Sequence, residues 1–351
     1  MTNQNNEKSH QARSSAGAQM KPVRWGVLGA ANIAVEKVIP AMQNGLLSRV
    51  VAIASSSLEK AQRAAARHDI ARAYGSYEAL LNDPDVEAVY NPLPNHLHVP
   101  WSIRAVEAGK HVLCEKPVAM NATEAIALGR AATRAGVLVG EAFMVRSHPQ
   151  WHEVRRRVLA GQIGDLQLVR GHFSYSRRPD ADVRNRVEYG GGVLMDIGCY
   201  PITIARWMFG REPIAAIAAI ERDARTGVDC LTSGMLRFDG GHASFTCGGQ
   251  MVPHQQLELF GERGRIDVEI PFTPSIDRPA RVLIDDGLRG AASTERLEFP
   301  AVDQYTLQGD DFSAAIRGIG DVPTSIDDAI GNMKVIDALR RSAATGRWAE
   351  V

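Results

Sequence analysis

The sequence predicts an α/β protein: a doubly wound parallel sheet in residues 21–146, followed in residues 147–351 by an α+β domain with an open, mainly antiparallel sheet. In the first part, short runs rich in Val, Ile and Leu alternate with longer helical segments, which is typical of parallel strands joined by helices. In the second part, glycine-containing turns separate successive strand-like runs, as in antiparallel sheets. Residues 1–20 are polar and offer little to bury, so they are predicted to form a disordered tail.

The composition argues against several classes of protein. Lys and Arg (40) balance Asp and Glu (40) in a chain of 351 residues, so no overall positive field attracts nucleic acid or an anionic membrane surface. The longest apolar stretch, residues 213–220, is far shorter than the roughly 20 residues that span a bilayer. The four cysteines lack the spacing of a disulfide framework or a metal site. We therefore expect a cytoplasmic protein with no nucleic-acid, membrane or metal partner.

The first part contains five predicted strands, each as apolar as a strand covered on both faces. They are residues 23–28, 50–54, 87–91, 111–114 and 137–143. Helices are predicted where a capping residue precedes a helical pattern: residues 58–67 after Ser57, 77–81 after Ser76, and 123–135 after Asn121.

The second part contains further strand-like runs and closes with an amphipathic helix. The runs are residues 166–175, 228–238, 242–247, 256–260 and 264–270. In residues 326–344, apolar side chains recur at helical spacing, so this segment is predicted to be a helix that docks back against one of the domains.

The turn after the first strand has the spacing of a dinucleotide-binding motif, G-x-G-x-x-G/A, with alanine in place of the second and third glycines. The motif needs a tight turn and close approach of the backbone to a pyrophosphate, followed by a helix N-terminus. A plain strand-to-helix turn is the alternative, but the position after the first strand of a parallel sheet favours the nucleotide. The residues predicted to bind it here are Gly29, Ala30, Ala31, Asn32 and Ile33.

The end of the second strand indicates which dinucleotide is bound. NAD sites usually carry a carboxylate there for the ribose, whereas this strand ends in hydroxyl residues, Ser55 and Ser56, followed by Lys60. Hydroxyls, an ammonium group and a helix N-terminus suit a 2′-phosphate, so NADP is favoured, with NAD possible. The alternative is that Ser57 serves only as the helix N-cap.

Two further segments leave the third and fourth strands at the edge of the sheet where ligands bind. They are predicted to surround the nicotinamide half of the cofactor. Their candidate residues are Pro92, Leu93, Asn95, His98, Glu115 and Lys116. The alternatives are ordinary turn chemistry for Asn95 and a solvated surface position for Lys116.

Several segments together resemble one enzyme family. They are residues 29–34 (GAANIA), 94–98 (PNHLH), 109–117 (GKHVLCEKP), 141–144 (EAFM), 190–200 (GGGVLMDIGCY), 328–333 (DAIGNM) and 342–348 (SAATGRW). They resemble the Gfo/Idh/MocA family, named after glucose-fructose oxidoreductase, inositol dehydrogenase and a rhizopine-catabolism protein. The resemblance implies a Rossmann domain, a second domain whose outer sheet face forms a homodimer or homotetramer, and hydride transfer between a nicotinamide and a sugar, polyol or dihydrodiol.

The resemblance also implies a catalytic group of Lys116, Asp196 and Tyr200. Asp196 and Tyr200 are four residues apart, which places them on one face of a helix. An ammonium group from Lys116 is expected to lower the pKa of Tyr200, making it a general acid/base, while Lys116 binds the carbonyl oxygen and Asp196 orients Lys116 or the substrate. The alternative is that Asp196 caps a helix and Tyr200 is a core residue.

Arg146 and Arg184 are predicted to bind substrate hydroxyls. Two positions depart from the family pattern: Ala31 replaces the second glycine of the turn, and Ser56 stands where many NADP-using relatives have Arg. Two other functions fit the same motifs. One is a regulator that senses a nucleotide or sugar without turnover, and the other is a glycosidase that uses tightly bound NAD in a closed redox cycle.

Overall fold

The computed structural model describes residues 20–177, 179–287 and 294–351, so the predicted tail lies outside the described residues apart from Met20. Within these ranges the chain forms a six-stranded sheet and a nine-stranded sheet. Over the same ranges no helix is long and apolar enough to cross a membrane.

The first sheet is parallel throughout, as predicted for a doubly wound fold. Its strands are β1 (Val23–Leu28), β2 (Ser48–Ala54), β3 (Arg72–Tyr74), β4 (Ala88–Asn91), β5 (His111–Glu115) and β6 (Val139–Ala142). Their order is β3-β2-β1-β4-β5-β6, so the direction of winding reverses between β1 and β4. The edge strand β3 was not predicted because its three half-buried residues form no apolar run.

The helices of this half are α1 (Ile39–Gln43, after a π-helical segment Ala34–Val38), α2 (Leu58–Arg67), α3 (Tyr77–Leu81), α4 (Asn95–Glu107) and α5 (Ala122–Ala135). Three of them, α2, α3 and α5, start within one residue of where the capping residues predict, and α1 and α4 were not predicted. Ser57, Ser76 and Asn121 each accept a hydrogen bond from the backbone N–H three residues later, which satisfies one free donor of α2, α3 and α5.

The second sheet is mainly antiparallel, as predicted, and only β7 and β10 pair in parallel. Its strands are β7 (Leu166–Ser174), β8 (Ala215–Arg222), β9 (Asp229–Phe238), β10 (Gly241–Gly248), β11 (His254–Gly261), β12 (Arg265–Val268), β13 (Ala280–Asp285), β14 (Glu295–Phe299) and β15 (Ala349–Glu350). The order is β14-β13-β12-β11-β7-β10-β9-β8-β15. Strand β8 contains most of the apolar stretch noted in the sequence.

The described part of the second half contains four α-helices. They are α6 (Pro149–Leu159), α7 (Cys199–Phe209), α8 (Gln304–Ile316) and α9 (Ile326–Thr345). A short 3-10 turn, Met144–Ser147, precedes α6, and a π-helical segment, Leu194–Gly198, leads into α7. Helix α9 packs against α5 of the first half and β8 of the second.

Helix α8 returns to the first sheet and lies along β1. The end of the helix lies beside the start of that strand. Arg317, the residue after the helix, donates hydrogen bonds to the carbonyls of Lys21 and Pro22. One turn earlier in the helix, Ser313 accepts a hydrogen bond from the indole N–H of Trp25, within β1, at 3.1 Å. The first turn of α8 therefore lies at the opposite edge of the sheet, where β1, β4 and β5 end.

Candidate active site

The carboxyl ends of β1, β2, β4 and β5 meet at one edge of the first sheet. Pairing sets Leu28 beside Ala54 across β1 and β2, and Asn91 beside Cys114 across β4 and β5. The predicted dinucleotide turn and the predicted lysine therefore lie at the same edge, next to the point where the winding of the sheet reverses. Open α/β sheets bind ligands in this crevice.

The turn after β1 has a backbone that only glycine adopts easily. Gly29 has φ of 97°, its N–H donates to the Ala54 carbonyl at 2.7 Å, and a Cβ at this position would lie 2.9 Å from a methyl carbon of Leu93. Glycine thus leaves a cradle between the turn and the segment that follows β4. The predicted residues Ala30, Ala31, Asn32 and Ile33 come next, outside the deeply buried core, and lead into a helix N-terminus.

The end of β2 presents polar groups beside this turn. Ser55 is buried and its hydroxyl accepts the Ser57 N–H at 3.3 Å, whereas Ser56 and Lys60 are exposed. The Ser57 hydroxyl accepts the Lys60 N–H at 3.4 Å, so the N-cap role that was the alternative for Ser57 is present. Two exposed groups, one hydroxyl and one ammonium, remain for a ligand.

His98, predicted to line the nicotinamide end of the cofactor site, is buried and contacts backbone carbonyls instead. The side chain is fully buried, with Nε2 at 2.6 Å from the Leu93 carbonyl and Nδ1 at 2.8 Å from the Pro117 carbonyl. Burial lowers the pKa of His98 to about 4, so the ring is neutral at pH 7 and has one N–H to donate. The imidazole therefore joins the segments that leave β4 and β5; Pro92, also buried, precedes Leu93 in the first of them.

Asn95 and its neighbour attach a loop of the second domain to this edge. The Asn95 amide donates to the Gly190 carbonyl at 2.9 Å, and the His96 ring stacks on Tyr189 with 4.7 Å between centroids. Asn95 was predicted to bind the cofactor, and in the structure its amide binds the protein backbone. The loop, residues 179–192, closes one side of the crevice.

Glu115 is held by groups other than the lysine ammonium. The Tyr90 hydroxyl donates to its Oε1 at 2.6 Å, and the Lys116 backbone N–H donates to its Oε2 at 3.2 Å. Burial raises the pKa of Glu115 above its usual value. Its carboxyl lies at the base of the crevice, between β4 and β5.

Asp196 binds two cations. Its Oδ1 lies 3.0 Å from Lys116 Nζ, which also donates to the Asp196 carbonyl at 2.6 Å, and its Oδ2 accepts Arg184 Nε at 2.8 Å. Burial alone would lower the pKa of Lys116, but Asp196, together with Cys199 and Glu115, outweighs burial and raises it. The Asp196 carboxylate also raises the pKa of Arg184. Both side chains are therefore cationic at neutral pH.

The three glycines before Asp196 allow this arrangement. Gly190 and Gly192 have φ of 77° and 111°, and a Cβ on Gly191 would overlap the backbone carbonyl of Arg184. The chain therefore turns tightly enough for Arg184, on the incoming loop, to reach Asp196 on the π-helical segment.

Tyr200 lies close to Lys116, but the expected effect on its pKa is wrong. The Lys116 ammonium is 5.2 Å from the centroid of the Tyr200 ring, whereas the hydroxyl donates to the Met144 sulfur at 3.3 Å. Burial raises the pKa of Tyr200 well above 10, since the ammonium faces the ring and not the hydroxyl. The phenol is therefore protonated at neutral pH.

Arg146, predicted to bind substrate, is a packing residue. Its guanidinium lies 4.1 Å above the Trp207 ring and pairs with one oxygen of Asp328 at 2.8 Å, while Arg206 pairs with the other oxygen at 2.7 Å. Only 11% of the Arg146 side chain is exposed. These contacts connect the first domain to α7 and α9, away from the crevice.

Tyr305, on the first turn of α8, is a site residue that sequence reasoning missed. It interacts electrostatically with Glu115 and Lys116, and burial raises its pKa to about 12. Asp303, which caps α8, was a local signal for the helix. No local signal places the helix beside residues that are 190 positions earlier in the chain.

Comparison with known proteins is consistent with this geometry. A model of an oxidoreductase family with an NAD-binding Rossmann fold matches residues 23–143, and a model of the GFO/IDH/MocA C-terminal domain matches residues 151–267. An uncharacterized oxidoreductase from Rhizobium meliloti is 44% identical over 95% of this chain and 100% of its own length. A dTDP-3,4-didehydro-2,6-dideoxy-alpha-D-glucose 3-reductase from Saccharopolyspora spinosa is 38% identical over 88% of this chain and 90% of its own length.

A solved structure has the same fold over nearly the whole chain. It is a 3-ketoreductase from Actinomadura kijaniata in complex with NADP and TDP-benzene, with a TM-score of 0.84 and 32% identity, and the match covers 92% of this chain and 98% of that chain.

The position of Arg146 gives a stability prediction. Arg146→Met removes the ion pair with Asp328 and the cation–π contact, so the free energy of unfolding should fall by about 1–3 kcal/mol. Urea denaturation measures it, with Arg186→Met, at a position 52% exposed, as the control that changes little. An unchanged unfolding midpoint for Arg146→Met would show that these contacts are not stabilising.

Proposed function

The chain belongs to the Gfo/Idh/MocA family of oxidoreductases, and on that premise we propose that it transfers a hydride between NADP and a carbonyl or carbinol carbon of a sugar, polyol or dihydrodiol. The observation that carries the proposal is the cluster of Lys116, Asp196 and Tyr200 beside the glycine turn of the nucleotide-binding sheet. A non-catalytic binding protein has no need to keep a buried lysine charged in such a cluster.

The crevice fits a dinucleotide. The cradle at Gly29, which a Cβ would fill, suits the pyrophosphate, with the helix N-terminus after Ile33 adding favourable dipoles. Ser55, Ser56 and Lys60 suit the 2′-phosphate of NADP, and the Actinomadura relative, which was solved in complex with NADP, supports that choice. On the nicotinamide side, the residues proposed to hold the cofactor are Leu93, Asn95, Glu115, Lys116 and Tyr305. When bound, NADP supplies or accepts the hydride.

Lys116 is proposed to bind the reacting oxygen of the substrate. Its ammonium is fixed by Asp196, so it is already oriented when a carbonyl arrives and stabilises the negative charge that develops on the oxygen during reduction. Asp196 is thereby proposed to orient Lys116. Arg184, which donates to the other oxygen of Asp196, is proposed to bind substrate hydroxyls.

Tyr200 is proposed to move the proton. The phenol is protonated at neutral pH, so it holds the proton that reduction needs: the carbonyl carbon gains a hydride and the oxygen gains the phenol proton. In oxidation the phenolate takes the proton back. The named activity of the Saccharopolyspora relative, a sugar 3-reductase, supports a sugar carbonyl as the substrate class.

The test follows reduced nicotinamide by absorbance, with NADPH and NADH separately, against ketosugars, aldoses, inositols, anhydro sugars and dihydrodiols. One substrate class should be turned over, and Tyr200→Phe should lower kcat by about 10²–10⁴-fold with NADPH binding unchanged. Lys116→Ala is the inactive reference, and Leu46→Ala, at a position 68% exposed, is the neutral control.

Undiminished turnover in Tyr200→Phe would remove Tyr200 from the mechanism. Binding of NADPH without turnover of any class would favour the sensing function. Cleavage of a glycoside with no net change in absorbance would favour the closed redox cycle.

The preference for NADP gives a second prediction. Ser56→Arg adds a guanidinium beside the proposed 2′-phosphate site, so the ratio of NADP to NAD affinity should rise about tenfold. Fluorescence titration with both cofactors measures the ratio, with Ser56→Met as the uncharged control of similar length. An unchanged ratio would mean that Ser56 does not face the 2′-phosphate.

The outer face of the second sheet is proposed to bind a second copy of the chain, in a homodimer or homotetramer. This face carries Ile217, Ala219 and Met235 on β8 and β9, and the Met235 side chain is 40% exposed. Met235→Arg should therefore lower the molar mass measured by light scattering, whereas Leu46→Arg on the first domain should leave it unchanged. A monomeric native protein would contradict the proposal.

A further inference from the structure

Two buried side chains, Glu141 and His98, contact the backbone that follows Lys116. Lys116 is followed by Pro117, which has no N–H, so the Val118 N–H is the first backbone donor after the lysine. It donates to Glu141 Oε1 at 2.7 Å, and the Pro117 carbonyl lies 2.8 Å from His98 Nδ1. Glu141 therefore fixes the backbone two residues from the proposed catalytic lysine without touching its ammonium.

The second oxygen of Glu141 has no protein partner. Glu141 is 3% exposed, and no described residue makes a hydrogen bond with its Oε2. The same is true of the Thr203 hydroxyl and of both atoms of the Asn332 amide, and these two side chains are fully buried. Buried polar groups without partners are rare, because each has lost its hydrogen bonds with water and gained none in return.

Helix packing and helical spacing place these three side chains in the same region of the interior. Arg206 on α7 pairs with Asp328 on α9 at 2.7 Å, which sets the facing surfaces of the two helices. Thr203 lies one turn before Arg206, and Asn332 one turn after Asp328, so both lie on these surfaces. Helix α9 also packs against β6, which contains Glu141. The residues that carry the unpartnered atoms therefore lie on surfaces of β6, α7 and α9 that pack together.

Burial of Glu141 favours a neutral carboxyl. The titratable and charged groups that act on it are Cys114 and Lys116 from β5 and its end, Cys199 and Arg206 from α7, and Asp328 from α9. Burial, aided by the Asp328 carboxylate, raises the pKa of Glu141 to about 8 despite the opposing Val118 hydrogen bond and the two cations. At pH 7 the group is mostly protonated, so it does not compete with Asp196 for the Lys116 ammonium.

We propose that Glu141 is the positioning residue for Lys116: its neutral carboxyl holds the Val118 N–H through one oxygen and, through the other, binds an internal water molecule shared with Thr203 and Asn332. A water needs two to four polar partners, and these three side chains supply them. Ionisation of Glu141 places a second carboxylate near Lys116 and draws the ammonium away from Asp196. The inference deepens the proposed function, since it rests on the role of Lys116.

The inference predicts how catalysis depends on pH. In the native enzyme, kcat/KM for reduction should fall above a midpoint near pH 8, as Glu141 loses its proton. Lys116 and Tyr200 have raised pKa values, so neither accounts for this limb. In Glu141→Gln, which keeps an oxygen for Val118 and has no charge, the limb should disappear. Glu107→Gln, at an exposed position near the end of α4, is the matched control that keeps it.

Two further variants separate positioning from folding. Glu141→Met removes the acceptor for Val118, so kcat should fall on the order of tenfold to a hundredfold with the KM for NADPH little changed, and Glu141→Gln should restore most of that loss. Thr203→Val removes one partner of the proposed water, so the alkaline midpoint should move upward because the carboxylate is solvated less well. A Glu141→Met variant that unfolds leaves the pH profiles of Glu141→Gln and Thr203→Val as the test.

Infrared spectroscopy provides a readout that needs no turnover. The protein at pH 7 should show a protonated-carboxyl band that is lost in Glu141→Gln and that disappears on titration around pH 8. Absence of this band, or an alkaline limb that is the same in Glu141→Gln and the native enzyme, would overturn the inference. Activity that survives in Lys116→Ala would overturn the proposed function instead, whatever the infrared result.

Discussion

The carboxylate of Asp196 is shared by Lys116 and Arg184, and the crevice is organised around that sharing. An ammonium group as little exposed as that of Lys116, 13%, stays charged only when an opposite charge offsets the cost of leaving water. The lysine comes from the first domain, whereas the carboxylate and the guanidinium come from the second. The site is therefore complete only when the two domains are in register, and the triple glycine turn sets that register for the second domain.

Several contacts keep the domains in this register. Helix α9 packs between them, and Asp328 at its start binds Arg146 and Arg206 with one oxygen each. A continuous cluster of buried apolar side chains extends from Leu28 in the first sheet to Leu257 in the second. Ion pairs of low exposure add geometric definition to this apolar interface more than they add stability. The crevice thus has fixed walls of α/β structure on one side and a loop on the other.

The sequence was sufficient for features that depend on local chemistry. The apolar runs predicted the parallel sheet, the capping residues Ser57, Ser76 and Asn121 predicted helix starts, and Gly29 predicted the turn. Family resemblance identified the lysine and the aspartate that meet at 3.0 Å.

Features that depend on long-range packing were not predictable. Arg146 looked like a ligand for substrate because nothing near it in the sequence indicates Asp328 or Trp207 as its partners. The expected lowering of the Tyr200 pKa was wrong because the sequence does not show that the Lys116 ammonium faces the Tyr200 ring and not its hydroxyl. Tyr305 was missed because α8 reaches the crevice only after the chain has passed through most of the second sheet.

The loop of residues 179–192 belongs to neither sheet. It contacts the first domain through the Asn95 hydrogen bond and the His96–Tyr189 stack. Changes in its length and sequence alter one wall of the crevice and leave both cores intact, so this wall can vary independently of the ion pair between Lys116 and Asp196.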